Sequence, residues 1–109
     1  MNSTKTPANK RASLPRIVEF GKAFVKDWER LSRTGRFNMR QLKEVMMLLI
    51  AGDEPLGPEW LDHPVTGNWR GHRECHVGGD FLLIYQLDNS GKQASVGFVR
   101  VGTHSELFG

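Results

Sequence analysis

Two stretches in the first half of the chain repeat apolar residues every three or four positions, the spacing of an amphipathic helix. The first stretch ends at Gly35, and the second follows Asn38, a favoured N-cap residue, and ends at Gly52. The apolar positions are Phe20, Phe24, Trp28 and Leu31 in the first and Met39, Leu42, Val45, Met46, Leu49 and Ile50 in the second. Because the connection between them is short, the pattern predicts an antiparallel helical hairpin.

Short runs rich in β-branched and aromatic residues, bounded by turn residues, predict strands. One run precedes the helices and three follow them, over residues 16–20, 69–77, 81–87 and 93–101. The turns between the last three are short, which favours antiparallel neighbours. Residues 53–68 are rich in Pro and Gly and predict a loop. We therefore predict an α+β domain over residues 14–109, with the hairpin on one face of a small antiparallel sheet and the other face available.

Composition limits the class of protein. The 109 residues are 39% hydrophobic, enough for one core, and residues 1–13 lack an apolar pattern, which predicts a flexible leader. No apolar run approaches the roughly 20 residues that a bilayer span needs, and no secretory signal is evident, so we expect a cytoplasmic protein without membrane contact. Cys75 is the single cysteine, which excludes an internal disulfide and a cysteine-based zinc site.

The charge of the chain is uneven. Residues 1–36 carry nine Lys or Arg and three Asp or Glu, whereas the remainder carries six basic and nine acidic residues. A basic front portion attracts polyanions such as nucleic acid, but the exposed side of any amphipathic helix has the same spacing of Lys and Arg. The charge pattern alone leaves both interpretations open.

Candidate chemistry gathers in the second half of the chain. His63, His72 and His76 lie within fourteen residues, and Asp80 follows them. Imidazoles, a carboxylate and arginines suit RNA cleavage without a metal, in which a base activates the 2′-OH and an acid protonates the leaving oxygen. Strand alternation places Arg70, His72, Glu74 and His76 on one face. His72 and His76 would lie about 13 Å apart on a strand, too far for joint zinc ligation.

The same residues have plainer interpretations. Histidines and aspartates at strand edges are commonly surface residues, and Asp62-His63-Pro64 is a sequence in which Asp62 forms an Asx-type bond that stabilises a turn. Trp28, Trp60 and Trp69 are expected to anchor the core or loops rather than to stack on bases.

A series of motifs in the second half resembles the YafQ branch of the RelE-like bacterial toxins. It comprises Asp62-His63-Pro64, Gly67-x-Trp69, Arg73-x-x-His76-Val77, Asp80 leading into Leu83-Ile84-Tyr85, and Arg100-x-Gly102-Thr103-His104 with Leu107-Phe108-Gly109. The resemblance spans about residues 16–109 and implies the RelE-like microbial-ribonuclease fold. It also implies a type II toxin–antitoxin protein that cleaves mRNA in the A site of the 70S ribosome without a metal or cofactor, and that a cognate antitoxin neutralises.

The resemblance further implies which residues act. The catalytic set is His63, His76, Asp80 and His104, and the substrate-binding set is Arg73, Phe81, Arg100 and Phe108. His104 would be the general acid, His76 and Asp80 would share base and orientation work, and His63 would complete the pocket. The two arginines would balance phosphate charge, and the two phenylalanines would stack on the target nucleotide.

This chain departs from the branch in three places. Position 81 is Phe where the branch has Trp, position 72 is His where it has Tyr, and Gly78-Gly79 makes the approach to Asp80 more flexible. Two alternatives to a ribosome-dependent enzyme follow from the residues: a non-catalytic module of the same fold that binds RNA or antitoxin, and a ribonuclease that acts without the ribosome.

Overall fold

A computed structural model of the chain describes residues 14–52 and 54–109. The predicted leader over residues 1–13 lies outside these described residues. The main elements are β1 (Ile17–Phe20), α1 (Lys22–Thr34), α2 (Met39–Ala51), β2 (His63–Pro64), β3 (Arg73–Gly78), β4 (Phe81–Asp88), β5 (Ser95–Thr103) and α3 (His104–Phe108). They confirm the predicted α+β class. None of the helices in the described ranges has the length and apolar character that a membrane crossing demands.

Local capping residues set the limits of the two long helices, as predicted. The Asn38 side chain accepts a hydrogen bond from the backbone N–H of Gln41 at 2.9 Å and so starts α2. Gly35 and Gly52 end α1 and α2 with φ of 70° and 67°. Glycine adopts this left-handed conformation without a steric penalty, which is why it ends helices so often.

The five strands form one sheet in the order β1-β5-β4-β3-β2. The neighbours β2 to β5 pair antiparallel, but β1 lies parallel to β5, so the expectation of a purely antiparallel sheet is wrong at this edge. Parallel neighbours need a long connection, and here the chain between them contains both long helices and three strands. The sheet is therefore mixed.

The main core lies between the sheet and the two long helices. Leu31 of α1 and Leu42 of α2 pack in one buried cluster with Cys75 of β3, Leu83 of β4 and Phe98 of β5. Both helices thus cover the same face of the sheet, which we call the helix face. Among the tryptophans, Trp60 is buried in this core, as expected of an anchor.

The opposite face is partly covered rather than fully available. Leu82 and Ile84 of β4 are buried beneath Leu107 of α3, with Trp69 and Phe108 packed beside them. Strand β4 is consequently buried on both faces, as its continuous apolar sequence predicts. We call this second surface the polar face, because the remaining part of it carries the histidines.

Two stretches of the chain differ from the sequence prediction. Residues Gly67–Trp69 form a turn of 3₁₀-helix and Gly71 has φ of 90°, so β3 starts at Arg73 rather than at position 69. Arg70 and His72 therefore precede the strand and do not share its alternation. The segment predicted as a loop contains β2, whose His63 and Pro64 pair with Glu74 and Arg73.

An irregularity in β5 also changes which side chains share a face. Tyr85 pairs with Phe98 and the preceding Ile84 pairs with Arg100, so Val99 is an extra residue in the strand. Such a bulge shifts the alternation by one position. Arg100 therefore lies opposite to Phe98, and the expectation that the two share a face is wrong.

Candidate active site

A buried carboxylate on the polar face lies between two histidines. Glu74 of β3 is 7% exposed, and its Oε1 and Oε2 lie 3.8 Å from Nε2 of His63 and 3.5 Å from Nε2 of His76. The register explains the grouping, because His63 pairs directly with Glu74 and His76 follows it by two residues on the same face. The side chains of His63 and His76 are 49% and 32% exposed, so both imidazoles reach solvent above a shielded carboxylate.

The turn between β3 and β4 and the short helix α3 contribute a second group. Asp80 Oδ1 accepts a hydrogen bond from the backbone N–H of His104 at 3.0 Å. Thr103 caps the same helix end through a reciprocal capping box. The rings of His104 and Phe108, one helical turn apart, lie 4.9 Å from each other. A carboxylate, an imidazole and an aromatic ring therefore meet at the start of α3.

Strand register connects the two groups. His76 pairs with Leu82, and Leu82 pairs with Gly102, two residues before His104. Since neighbouring strands are about 4.8 Å apart, the backbones of His76 and Gly102 are separated by about 10 Å across the polar face. Leu82 is 1% exposed and forms an apolar floor between them. The structure thus brings the four predicted catalytic residues to one face of the sheet and its rim.

Arg73 points away from these residues. Its Nε and Nη2 donate to Asp62 Oδ2 at 3.1 and 2.8 Å, and the Tyr85 hydroxyl donates to Oδ1 of the same carboxylate. The hydrogen bonds that Arg73 donates to Asp62 raise the pKa of Arg73, while burial and then the hydrogen bond to Asp62 raise the pKa of Tyr85. Alternation along β3 turns Arg73 away from His76, as the sequence pattern predicts. One expectation is corrected: both Asp62 oxygens accept hydrogen bonds from strands of the sheet rather than from an Asx-type turn.

Arg100 is committed to an ion pair at the edge of β5. Its Nε and Nη2 donate to Asp27 of α1 at 2.7 and 3.1 Å, and the Val101 N–H donates to the same carboxylate at 3.1 Å. Burial opposes ionisation of Asp27, but these hydrogen bonds outweigh it and hold its pKa below the usual value. Arg30 joins Asp27 to Glu106 of α3. This side chain links β5 to α1, which opposes the expected phosphate contact of Arg100.

Phe81 lies in the core. It is 4% exposed, and its ring centroid lies 4.8 Å from that of Phe37 on the helix face. This position, which alternation along β4 shares among Phe81, Leu83 and Tyr85, opposes the expected stacking of Phe81 on a nucleotide. Phe108, beside His104, is the predicted aromatic residue that the structure leaves near the histidines.

His72 is separate from the Glu74 group. Its ring lies edge-on to Trp69, with centroids 5.4 Å apart. Over residues 14–52 and 54–109, three or more His, Cys, Asp or Glu side chains do not come together in an arrangement that would hold a metal ion.

Comparison with known sequences decides the family. Residues 16–109 match the family described as bacterial toxin of type II toxin-antitoxin system, YafQ. The mRNA interferase toxin YafQ of Escherichia coli strain K12 is 38% identical over 96 residues, which cover 88% of this chain and 99% of the relative. The chain belongs to the YafQ family of bacterial toxins.

Solved structures agree with YafQ membership. The E. coli DinJ-YafQ complex aligns with a TM-score of 0.74 at 38% identity, covering 86% of this chain and 99% of that chain. A metal-bound toxin from Helicobacter pylori aligns with a TM-score of 0.73 at 38% identity, covering 85% of this chain and 99% of that chain. The predicted family and fold are thereby confirmed.

In this YafQ-family toxin, sequence reasoning missed one residue of the site. The alternation of residues along the predicted strand places Glu74 on the same face as His76, but Glu74 was not among the predicted catalytic residues. The Glu-x-His spacing alone places Glu74 and His76 on one face. The approach of His63 from β2 had no comparable signal, because a strand of two residues has no alternation to recognise.

Proposed function

We propose that the chain is a ribosome-dependent mRNA endonuclease that cleaves mRNA in the A site of the 70S ribosome and so inhibits translation. The observation that carries this proposal is the grouping of His63, Glu74 and His76 beside Asp80 and His104 on one face of the sheet. The name of the E. coli relative, an mRNA interferase toxin, supports mRNA as the substrate class.

The proposed reaction is attack of a 2′-OH on the adjacent phosphate. A base removes the 2′-OH proton, the 2′-oxygen forms a bond to phosphorus, and the bond from phosphorus to the 5′-oxygen breaks as an acid protonates that oxygen. We assign the acid to His104, exposed at the start of α3, and base and orientation work to His76 and Asp80. His63 completes the polar pocket. All protons in this scheme move through side chains of the chain itself.

The state of the two arginines supports dependence on the ribosome. Arg73 and Arg100, the residues expected to balance phosphate charge, are both held by carboxylates of the protein. Fixing the phosphate and 2′-OH in the reactive geometry therefore falls largely to partners outside the chain. A ribosome that holds the mRNA in the A site would supply that positioning.

We propose that a cognate antitoxin neutralises the protein, since the E. coli relative forms a complex with DinJ. An apolar groove between α1 and α2 suits a segment of such a partner. It has a volume of about 220 Å³ and is lined by Phe20, Phe24, Val25, Trp28 and Met46. The exposed Lys22, Lys26 and Lys43 lie on the same helices, which favours an acidic amphipathic segment. Both antitoxin and ribosome imply action in the cytoplasm.

Cleavage of a defined mRNA, with and without programmed ribosomes, tests the proposal. Cleavage only with ribosomes, lost in His76→Ala, Asp80→Ala and His104→Ala and kept in the surface control Glu44→Gln, would support it. EDTA added to the ribosome-free samples tests whether any activity there needs a metal. Cleavage without ribosomes would identify a free ribonuclease. Folded protein that cleaves nothing would favour a binding module instead.

A further inference from the structure

The turn that leads into His63 has an unusual backbone conformation. Leu61 has φ of 49° and ψ of 42°, in the left-handed region, and no other non-glycine residue has positive φ in the part of the chain that the structure describes. The Leu61 side chain is 59% exposed, so its packing does not account for this conformation. The Leu61 backbone N–H donates to the carbonyl oxygen of Pro58 at 3.1 Å and so ends the 3₁₀ turn over Pro58–Trp60, and the residue after Leu61 adds a second constraint.

Asp62 provides this second constraint. Its carboxylate accepts two hydrogen bonds from Arg73 at the start of β3 and one from the hydroxyl of Tyr85 in the central strand β4. Tyr85 is 1% exposed, so this end of the connection is fixed inside the core. The residue between Leu61 and His63 is therefore anchored to two strands on the helix face.

The anchored turn determines which nitrogen of His63 faces the site. The carbonyl oxygen of Leu61 lies 2.8 Å from Nδ1 of His63. A carbonyl oxygen only accepts hydrogen bonds, so Nδ1 must carry the proton in this pair. Nε2 is then the nitrogen turned toward Glu74. Strand β2 contributes only two residues to the sheet, which leaves the turn as the main constraint on a half-exposed ring.

We propose that Asp62 is a positioning residue for RNA cleavage, acting through the Leu61 carbonyl to fix the tautomer and orientation of His63. This inference rests on the proposed function, since a fixed Nε2 matters only to a reacting substrate. Asp62 bonds to groups on the helix face, whereas Glu74 and His76 lie on the polar face. The proposed route from Asp62 to the polar face is the adjacent His63, whose Nδ1 contacts the Leu61 carbonyl oxygen. If Asp62 had only a structural role, its substitution would lower stability, and any effect on cleavage would be the same with and without His63.

A double-mutant cycle tests the dependence. Asp62→Asn keeps the shape of the side chain but removes its charge, and it is made in the wild-type and in the His63→Ala backgrounds, with Glu44→Gln as the carboxylate-to-amide control. We expect Asp62→Asn to lower kcat about tenfold with little change in KM, and to cause no further loss once His63 is absent. Equal losses in both backgrounds would overturn the proposal.

Nitrogen-15 spectra of the imidazoles give a readout that does not require activity. At a pH where the ring is neutral, His63 of the wild type should carry its proton on Nδ1, and Asp62→Asn should shift the population toward Nε2–H. An unchanged tautomer in a folded Asp62→Asn protein would overturn the proposal. Should that variant fail to fold, Tyr85→Phe removes one hydrogen bond with the ring retained and should give a smaller shift in the same direction.

The two measurements also distinguish failure of this inference from failure of the proposed function on which it rests. A wild-type protein that cleaves no RNA would overturn the proposed function and, with it, the catalytic purpose of the anchor. Cleavage by the wild type with an unchanged rate in Asp62→Asn would overturn the anchor alone.

Discussion

The carboxylate of Asp80 accepts a hydrogen bond from the backbone N–H of His104 across the end of the polar face. One side chain thus caps the helix whose first residue carries the His104 imidazole. Negative charge is favourable at a helix N-terminus, where backbone N–H groups lack partners. Asp80 therefore has a structural and a chemical interpretation, and substitution can separate them.

Asp80→Asn and Asp80→Ala should have different effects on stability but similar effects on cleavage. The amide oxygen of Asn still accepts from the His104 N–H, whereas Ala loses the cap and about 1 kcal/mol. If Asp80 transfers or orients a proton, both variants lose activity, because neither has a carboxylate. Denaturant unfolding and ribosome-dependent cleavage measure the two effects. Wild-type activity in Asp80→Asn would reduce Asp80 to a cap.

Glu74→Gln should lower cleavage about tenfold while the protein stays folded. The substitution preserves shape but removes the charge between His63 and His76. Among the described residues Glu74 pairs with histidines and not with Lys or Arg, so its loss leaves no permanent cation without a partner. Glu74→Asp should retain part of the activity because it keeps the carboxylate. Single-turnover cleavage on programmed ribosomes measures all three proteins. Equal rates for wild type and Glu74→Gln would remove Glu74 from the site.

Asp27→Asn should destabilise the protein by about 2 kcal/mol at neutral pH, because Arg100 loses its buried charged partner. The pKa of Asp27 lies below its usual value of 3.8 in the folded protein, so the unfolded chain binds the proton more readily. This contribution is complete above about pH 4 and is lost as the pH falls through the folded pKa. Urea unfolding from neutral to acidic pH should therefore show the difference between wild type and variant shrinking. A constant difference would contradict this assignment.

Cys75 should be inert in the native protein. Its side chain is fully buried, and burial raises the pKa of its thiol to about 12. Thiolate, not thiol, is the reactive form, so both access and ionisation oppose modification. A thiol reagent should detect no group in the folded chain and one group in denaturant. Rapid reaction under native conditions would indicate that β3 opens readily.

Charge reversal at Lys22 and Lys26 should weaken ribosome binding. Both residues are exposed on α1 in the basic front portion of the chain, whereas Arg30 of the same helix is paired with Asp27 and Glu106. Reversal of Arg30 would therefore disturb the fold as well as the surface. Contacts to RNA phosphates weaken as salt rises, so the loss should be greatest at low salt. Sedimentation with ribosomes at two salt concentrations tests this, with Lys92→Glu in the β4–β5 turn as control.

Local sequence signals predicted the helices and the central strand because their causes are local. Gly35 and Gly52 end helices through their own backbone conformations, and Asn38 caps a backbone group three residues away. The apolar sequence of β4 likewise predicts burial on both faces. These features require no knowledge of distant parts of the chain.

The ion pairs of Arg73 and Arg100 could not be predicted from local sequence in the same way. Arg100 meets a carboxylate 73 positions earlier in the chain, and Arg73 meets one 11 positions earlier. Both pairings depend on how the chain crosses the sheet. For Phe81, alternation from the buried Leu83 correctly predicts a place in the core, whereas its contact with substrate stays a prediction.

The extra residue Val99 divides β5 into two segments. Even-numbered side chains point into the core up to Phe98, and odd-numbered side chains do so from Val101 onward. Deleting Val99 would join the two segments into one regular alternation: Arg100 would follow Phe98 directly and still pair with Ile84, Val101 would still pair with Leu83 in the core, and only the bulge would be lost. The turn over residues 89–94, between β4 and β5, lies outside both segments. Its length is therefore free to vary without displacing His104.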